Sequence, residues 1–368
     1  MFNPDKFIEE TIRELRNNYG DKGRILAAVS GGVDSTTAVA LTYKALGEKV
    51  FPVIIDTGML RKNEGNNVKR LLKGIMDVNV IDRSAEFYRR LEGIYDAEQK
   101  RKVFRKTFYE TLSSIAREIG AKYLVQGTIA ADWVETQGGI KTQHNVLTQI
   151  GLDPRREYGF SVIEPLADLY KNEVRIVAER LGLPKEIIFR QPFPGPGLLV
   201  RVPGSINVEK LNLCREVTGI IENEISGHSQ TFGVVFENDA IPDDKLSSIV
   251  GYQVKRYRVK ATGVKGDVRQ YGSVVSISRG APYPNIGYTA RALFAYDITH
   301  ALYTIRESNG RYAVVIRVVD TEDYMTADVP LLPIEQLESL ARRIITIADV
   351  GEVMYDITSK PPATIEFE

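Results

Sequence analysis

Arg24-Ile-Leu-Ala-Ala-Val-Ser-Gly-Gly-Val-Asp-Ser35 decides the fold. Its first half, Arg24 to Val29, is a short apolar run that ends in Ser30-Gly-Gly, the pattern of a strand buried in a parallel sheet. From Ser35 to Leu46 the apolar residues Ala38, Leu41 and Ala45 recur at helical spacing, and Gly47 supplies a stop. Strand, glycine turn and helix open a βα unit. The two glycines let backbone N–H groups approach a ligand, and the start of the helix offers further free N–H groups and the positive end of its dipole. Ser30 and Ser35 add hydroxyl donors. Asp34 repels a phosphate, so its sensible role is to hold a Mg2+ that bridges phosphate oxygens. The loop lacks the G-K-[ST] ending of a Walker A motif and is not G-x-G-x-x-G.

Outward from this loop the strand–helix rhythm continues. Lys49 to Ile55 and Val78 to Ile81 read as strands, Asn67 to Gly74 as a short helix, Phe87 to Ile119 as two helices, and Lys122 to Gln126 as a strand closed by Gly127. Such alternation predicts an α/β, doubly wound parallel sheet with right-handed crossovers. Ligands of these sheets bind at the carboxyl ends of the strands, so the loops after Val29, Ile55 and Gln126 should face one site. Residues 131–159 are polar and Gly/Gln-rich, a length suited to a lid. Leu169 to Leu181 is again helical.

The dense Pro/Gly stretch Arg190-Gln-Pro-Phe-Pro-Gly-Pro-Gly197 marks a boundary, dividing the chain into 1–190 and 191–368. Beyond it the pattern changes to a smaller α+β domain. Val208 to Ile225 reads as an amphipathic helix with Cys214, Val217 and Ile221 on one stripe. Strands are expected at Val234 to Phe236, Tyr271 to Ser278, Tyr312 to Val319 and Val353 to Asp356, and helices at Thr289 to Arg306 and Ile334 to Ala348.

Composition narrows the function classes. Of 368 residues, 48 are Lys or Arg and 48 are Asp or Glu, so the formal net charge is zero. A nucleic-acid or anionic-membrane binder usually carries a basic excess. No secretory h-region opens the chain, and its apolar runs are strand-sized, so a soluble, cytoplasmic protein without a membrane span is expected. The single cysteine excludes an internal disulfide, a Cys-X-X-Cys pair and a zinc ribbon.

Ser30-Gly-Gly-Val-Asp-Ser35 resembles the PP-loop of N-type ATP pyrophosphatases (adenine nucleotide alpha hydrolase-like), which hold the pyrophosphate of ATP and cleave between the α and β phosphorus. Four further segments are similar to those of GMP synthetases: Asp56-Thr-Gly-Met-Leu-Arg61 with Glu64; Gln126-Gly-Thr-Ile129 with Asp132 and the lid segment Ile140-Lys-Thr-Gln-His-Asn-Val146; Pro192-Phe-Pro-Gly-Pro-Gly197; and Tyr355-Asp-Ile-Thr-Ser-Lys-Pro-Pro-Ala-Thr-Ile-Glu-Phe-Glu368. Departures from that pattern are Gln143 and Gln191, where histidine is usual, and Ala131 in place of a proline. Residues 280–311 read as an insertion.

The resemblance implies an ATP-dependent carbon–nitrogen ligase that converts xanthosine monophosphate (XMP) to GMP with ATP and Mg2+. It implies ATP binding by Ser30, Gly31, Gly32, Val33, Asp34, Ser35, Asp56 and Gly127, with Asp34 as metal ligand and Asp34 and Lys141 in catalysis. It implies XMP binding by Arg101, Asp267, Arg317, Lys360 and Glu366. Lys360 and Glu366 flank a rigid Pro-Pro turn, and one cation with one carboxylate suits a purine nucleotide. Cys214 lies on an apolar stripe, so no glutaminase nucleophile is present. The resemblance therefore implies the synthetase subunit alone, with ammonia from a separate glutamine amidotransferase subunit, and a homodimer through the C-terminal domain. Three rivals are an NAD synthetase-like enzyme, a tRNA-modifying PP-loop enzyme and an inactive nucleotide-binding homologue. Thiolation of tRNA usually needs two cysteines, and NAD synthesis leaves the Pro-Phe-Pro-Gly-Pro-Gly and C-terminal segments unexplained.

Overall fold

The computed structural model describes residues 2–130, 153–266, 268–322 and 324–368. The chain forms two compact units. The first comprises Met1–Phe87 and Phe104–Gly195, the second Tyr88–Val103 and Pro196–Glu368. The division falls inside the Pro/Gly stretch, after Gly195 rather than after Arg190, and the second unit also takes in the short segment Tyr88–Val103.

In the first unit the elements run α1 (Pro4–Tyr19), β1 (Ile25–Ala28), α2 (Val33–Leu46), β2 (Val50–Asp56), α3 (Glu64–Leu71), β3 (Asn79–Asp82), α4 (Ser84–Leu91), α5 (Ala97–Ile119), β4 (Tyr123–Val125), α6 (Pro154–Tyr158), β5 (Ser161–Ile163), α7 (Lys171–Arg180) and α8 (Lys185–Ile188); α4 and α5 supply residues to both units. The five strands form one sheet of order β3-β2-β1-β4-β5, and every pair is parallel. Ile25 is the central register mark, opposite Val50 on one side and Tyr123 on the other. The alternation of a strand explains the layers. Ile25, Ala27 and Val29 point into one apolar core with Ile8 and Leu15 of α1, Val39 and Leu41 of α2 and Val174 and Val177 of α7, while Leu26, equally buried, lies outside that core. Tyr109, Leu112 and Ile115 of α5 are buried but also outside it, as expected of a doubly wound sheet covered on both faces.

The order matters for function. Connections leaving β1 run toward β2 and β3, whereas β4 and β5 lie on the other side. The carboxyl ends of β1 and β4 therefore flank the topological switch point, where open α/β sheets bind ligands.

The second unit carries α9 (Val208–Glu224), β6 (Gln230–Glu237), β7 (Ile241–Pro242), α10 (Asp244–Val250), β8 (Val254–Lys265), β9 (Val268–Ile277), α11 (Ile286–Arg291), β10 (Ile298–Glu307), β11 (Tyr312–Val319), α12 (Ile334–Ile344) and β12 (Val350–Asp356). Its seven strands form a mixed sheet of order β6-β11-β12-β10-β9-β8-β7. One expectation is corrected here. The helix expected over Thr289 to Arg306 is only α11, a short 3-10 turn and then the strand β10. The run from Ile298 to Ile305 is buried throughout, including Thr299, His300 and Thr304, and a run buried on both sides has no alternation to betray a strand. Residues 280–311, read as an insertion, include β10, which sits between β12 and β9 in the middle of the sheet. β8, rich in Lys and Arg, escaped sequence reading altogether. Cys214 is fully buried on α9, as its stripe predicts, and burial pushes its thiol up to about 12.

Candidate active site

The loop between β1 and α2 closes on itself through its two serines. The Ser35 hydroxyl accepts from the Ser30 amide at 3.0 Å and lies 2.7 Å from the Ser30 hydroxyl, and the Gly32 amide points at the Ser30 oxygen at 3.4 Å. Hydroxyls and amide thus share one small basket at the start of a helix, the composition of an anion site. Gly31 has φ +78°, and a Cβ there would meet Arg190 Nη1 at 2.7 Å and Val68 Cγ2 at 2.8 Å. No other residue fits. Gly127, in the loop after β4, is as constrained, because its Cβ would lie 2.5 Å from the Ser35 amide nitrogen. The loops of β1 and β4 thus touch at the switch point. Asp56, at the end of β2, accepts from the Gly58 amide at 2.9 Å, and Val33 is buried behind the loop.

Asp34, in the first turn of α2, is a carboxylate with one oxygen committed and one left over. Lys171 Nζ lies 2.5 Å from Oδ2, while Oδ1 is buried with no hydrogen-bond partner among the described residues. Lys171 is the first residue of α7, where the helix dipole disfavours a cation, so its placement answers to Asp34 and not to its own helix. Among the described residues no three His, Cys, Asp or Glu side chains gather around a metal position. A spare hard oxygen fits Mg2+, which is commonly held by one or two carboxylates together with substrate phosphates. Lys171 was missed from sequence because nothing local marks it. Lys141 and Asp267, together with Gln143 and Asp132, lie outside the described residues.

The site residues expected in the second unit divide into two kinds. Among the described residues, Arg101 Nε and Nη1 are buried with no hydrogen-bond partner, and Glu98 lies 3.7 Å from Nη1. Arg269 shares the same Glu98 at 3.8 Å, and the buried Tyr271 hydroxyl also lacks a partner. Burial, then Arg269, hold the Arg101 guanidinium below its ordinary pKa, and burial raises the Tyr271 hydroxyl. Two cations thus share one carboxylate, Glu98, and Arg101 keeps donors to spare among the described residues. Sequence reasoning found Arg101 but not Arg269 or Tyr271, which come from β9.

The remaining expected residues have partners inside the unit. Glu366 receives a two-pronged bond from the buried Arg201, both contacts at 2.9 Å, and that guanidinium lies 3.9 Å over the Phe232 ring. Arg317 is fully buried. It pairs with Asp356 at 3.0 Å and donates to the carbonyls of Thr358 at 2.6 Å and Thr364 at 2.9 Å. His300 Nδ1 lies 2.7 Å from the same Asp356. Burial alone would raise the Asp356 carboxyl, but Arg317 and His300 hold it below the ordinary range. Arg317 thus clasps the C-terminal tail through the Thr358 and Thr364 carbonyls. Lys360 is partly exposed and donates to the Tyr324 carbonyl. Lys100, unremarked in the sequence, is buried and bonds Val202 and Gly204 carbonyls at 3.0 and 2.8 Å as well as Glu368. Burial pushes Lys100 down and Glu368 up.

A five-stranded parallel sheet thus carries the Ser-Gly-Gly-Val-Asp-Ser loop at its switch point. Residues 305–367 match the family described as the GMP synthase C terminal domain. Three relatives, each named as one subunit of a glutamine-hydrolyzing GMP synthase, align over the whole length of both chains. The sequence is 54% identical to that of Sulfurisphaera tokodaii, 53% to that of Saccharolobus solfataricus and 40% to that of Methanocaldococcus jannaschii. The chain belongs to this GMP synthase family. Among solved structures, the NH3-dependent NAD synthetase of Campylobacter jejuni is 18% identical with a TM-score of 0.40, over 51% of this chain and 78% of that one.

Proposed function

We propose that the chain makes GMP from XMP in two steps, with ATP bound over the Ser30–Ser35 loop. The C2 oxygen of XMP attacks the α-phosphorus of ATP, and pyrophosphate leaves into the loop. Ammonia then displaces AMP from C2 and leaves GMP. The observation that carries this reading is the loop at the switch point, with its hydroxyls, amides and one spare Asp34 oxygen, in a chain alike over its full length to proteins named for GMP synthesis. Catalysis in such a site is positioning and electrostatics.

Asp34 would hold Mg2+, which when bound neutralises phosphate charge and polarises the bond that breaks. The Ser30 and Ser35 hydroxyls and the Gly32 amide donate to the departing pyrophosphate. Lys171 moves from Asp34 to the phosphates as the charge there grows, and Lys141 closes over them. Arg101, with Arg269 and Tyr271 beside it, takes the XMP phosphate. Asp267, Lys360 and Glu366 serve the rest of that nucleotide, with Arg201 fixing where Glu366 points. The relatives are named as one subunit of a glutamine-hydrolyzing enzyme, which supports a separate glutamine amidotransferase subunit as the ammonia source. A homodimer through the second unit and a cytoplasmic setting complete the reading; among the described residues no helix is long and apolar enough to cross a membrane.

The test is pyrophosphate and GMP formation from ATP and XMP, with and without ammonium. GMP formed only with ammonium is expected. Pyrophosphate released without XMP, or no GMP at high ammonium, contradicts the reading.

A further inference from the structure

Glu64 is an acid that the proposed chemistry does not use, yet it is one of the most deeply buried charges of the first unit, 4% exposed at the start of α3. Its Oε2 accepts from the Arg61 amide at 2.8 Å, and its Oε1 takes Arg190 Nη2 at 2.8 Å. The other end of the same guanidinium, Nη1, donates to the Gly31 carbonyl at 3.4 Å. A buried carboxylate and a guanidinium are costly to desolvate, and such a pair is weak evidence of stability by itself. Here the pair has a direction, because it ends on the backbone of the phosphate loop.

The Gly31–Gly32 peptide is where that direction counts. A trans peptide holds its carbonyl and its N–H pointing in opposite directions within one plane, so fixing one fixes the other. Arg190 draws the Gly31 oxygen toward α3, and the Gly32 amide accordingly faces the Ser30 hydroxyl inside the loop. Gly31, at φ +78°, has no steric preference of its own for this orientation. Val68, one turn along α3 from Glu64, closes the other side of the Gly31 seat.

We propose that Arg190, held by Glu64, is a positioning residue that orients the Gly31–Gly32 peptide so that the Gly32 amide meets the pyrophosphate of ATP. It touches no reacting atom. It keeps a carbonyl oxygen, which would repel the phosphate, turned out of the basket. The proposal rests on ATP being the ligand of this loop, and its test separates the two.

ATP affinity is measured by calorimetry for wild type, Arg190→Gln, Arg190→Lys, Glu64→Gln and the double variant Arg190→Gln with Glu64→Gln. kcat and the KM values for ATP and XMP follow from pyrophosphate release. Arg190→Gln and Glu64→Gln should each weaken ATP binding and lower kcat, by about 10²-fold for a loop displaced by an ångström. The XMP KM should not change. Arg190→Lys keeps one of the two contacts and should recover part of the loss, and the double variant should be no worse than the poorer single one. ATP affinity and kcat unchanged in both single variants would overturn the proposal. So would an equal loss of ATP and XMP affinity, which marks general damage, or additive losses in the double variant. A wild-type chain that binds ATP but makes no GMP contradicts the proposed function and leaves the Arg190 test intact, because ATP affinity still reads it.

Discussion

The phosphate loop and the C-terminal clasp carry the two sets of sequence motifs, and they use charge in opposite ways. Around the loop, groups are left with capacity to spare: Asp34 Oδ1 has no partner, and two hydroxyls and an amide crowd one basket. In the clasp, Arg317 with Asp356 and His300, Arg201 with Glu366, and Lys100 with Glu368 are paired inside the protein. Under the proposed function, a motif in the first region marks contact with the ligand. In the second most of it marks the folding of a tail that carries Lys360 and Glu366, while Arg101 and Tyr271 nearby keep buried polar atoms without a partner among the described residues.

The comparison breaks most readily in the clasp. Arg317→Met leaves Asp356 buried with only His300 opposite, a loss of about 3–5 kcal/mol of stability by denaturant unfolding. An unfolding midpoint close to wild type contradicts the structural role. The same clasp has a pH signature. The Asp356 carboxyl lies below its ordinary value in the folded chain, so its contribution is complete above the ordinary carboxylate pKa and is lost as pH falls through the lowered one. Wild-type stability should therefore decline on acidification below about pH 4, and Asp356→Asn should remove part of that slope.

In the loop the effect should fall on turnover instead. Asp34→Asn, which keeps shape and loses charge, should lower kcat by about 10²–10³-fold, the scale of one preorganised transition-state contact. Its thermal midpoint should stay near that of wild type; a large drop there with little change in kcat would reverse the contrast between the regions. Arg101→Gln should sharpen it. Losing charge-assisted bonds worth about 1.5–3 kcal/mol raises the XMP KM by about 10- to 100-fold, while the ATP KM holds. The smallest effect is expected at Cys214. Its thiol, pushed up to about 12 by burial, should resist alkylation in the folded chain. Cys214→Ala should leave kcat unchanged.

What could be read from sequence follows the range of the interactions. Strand, loop and helix around Ser30–Ser35 are contiguous, so residue type and spacing determine them locally. The seven-stranded sheet is set by pairings between distant segments, and its middle strand β10 lacks alternation because both faces are covered. Its sequence therefore reads as helix when taken alone. The same range separates Asp34, legible in its motif, from Lys171, which reaches it from far along the chain. It also separates Arg101 from Arg269 and Tyr271, and Gly31 from Arg190.

The measurement that bears most directly on the ligase reading is GMP formation by the purified chain from ATP, XMP and ammonium, followed together with pyrophosphate. Pyrophosphate and GMP appearing in equal amounts, both abolished in Asp34→Asn, is the expected result. GMP absent at saturating ammonium, or formed undiminished by Asp34→Asn, would contradict it.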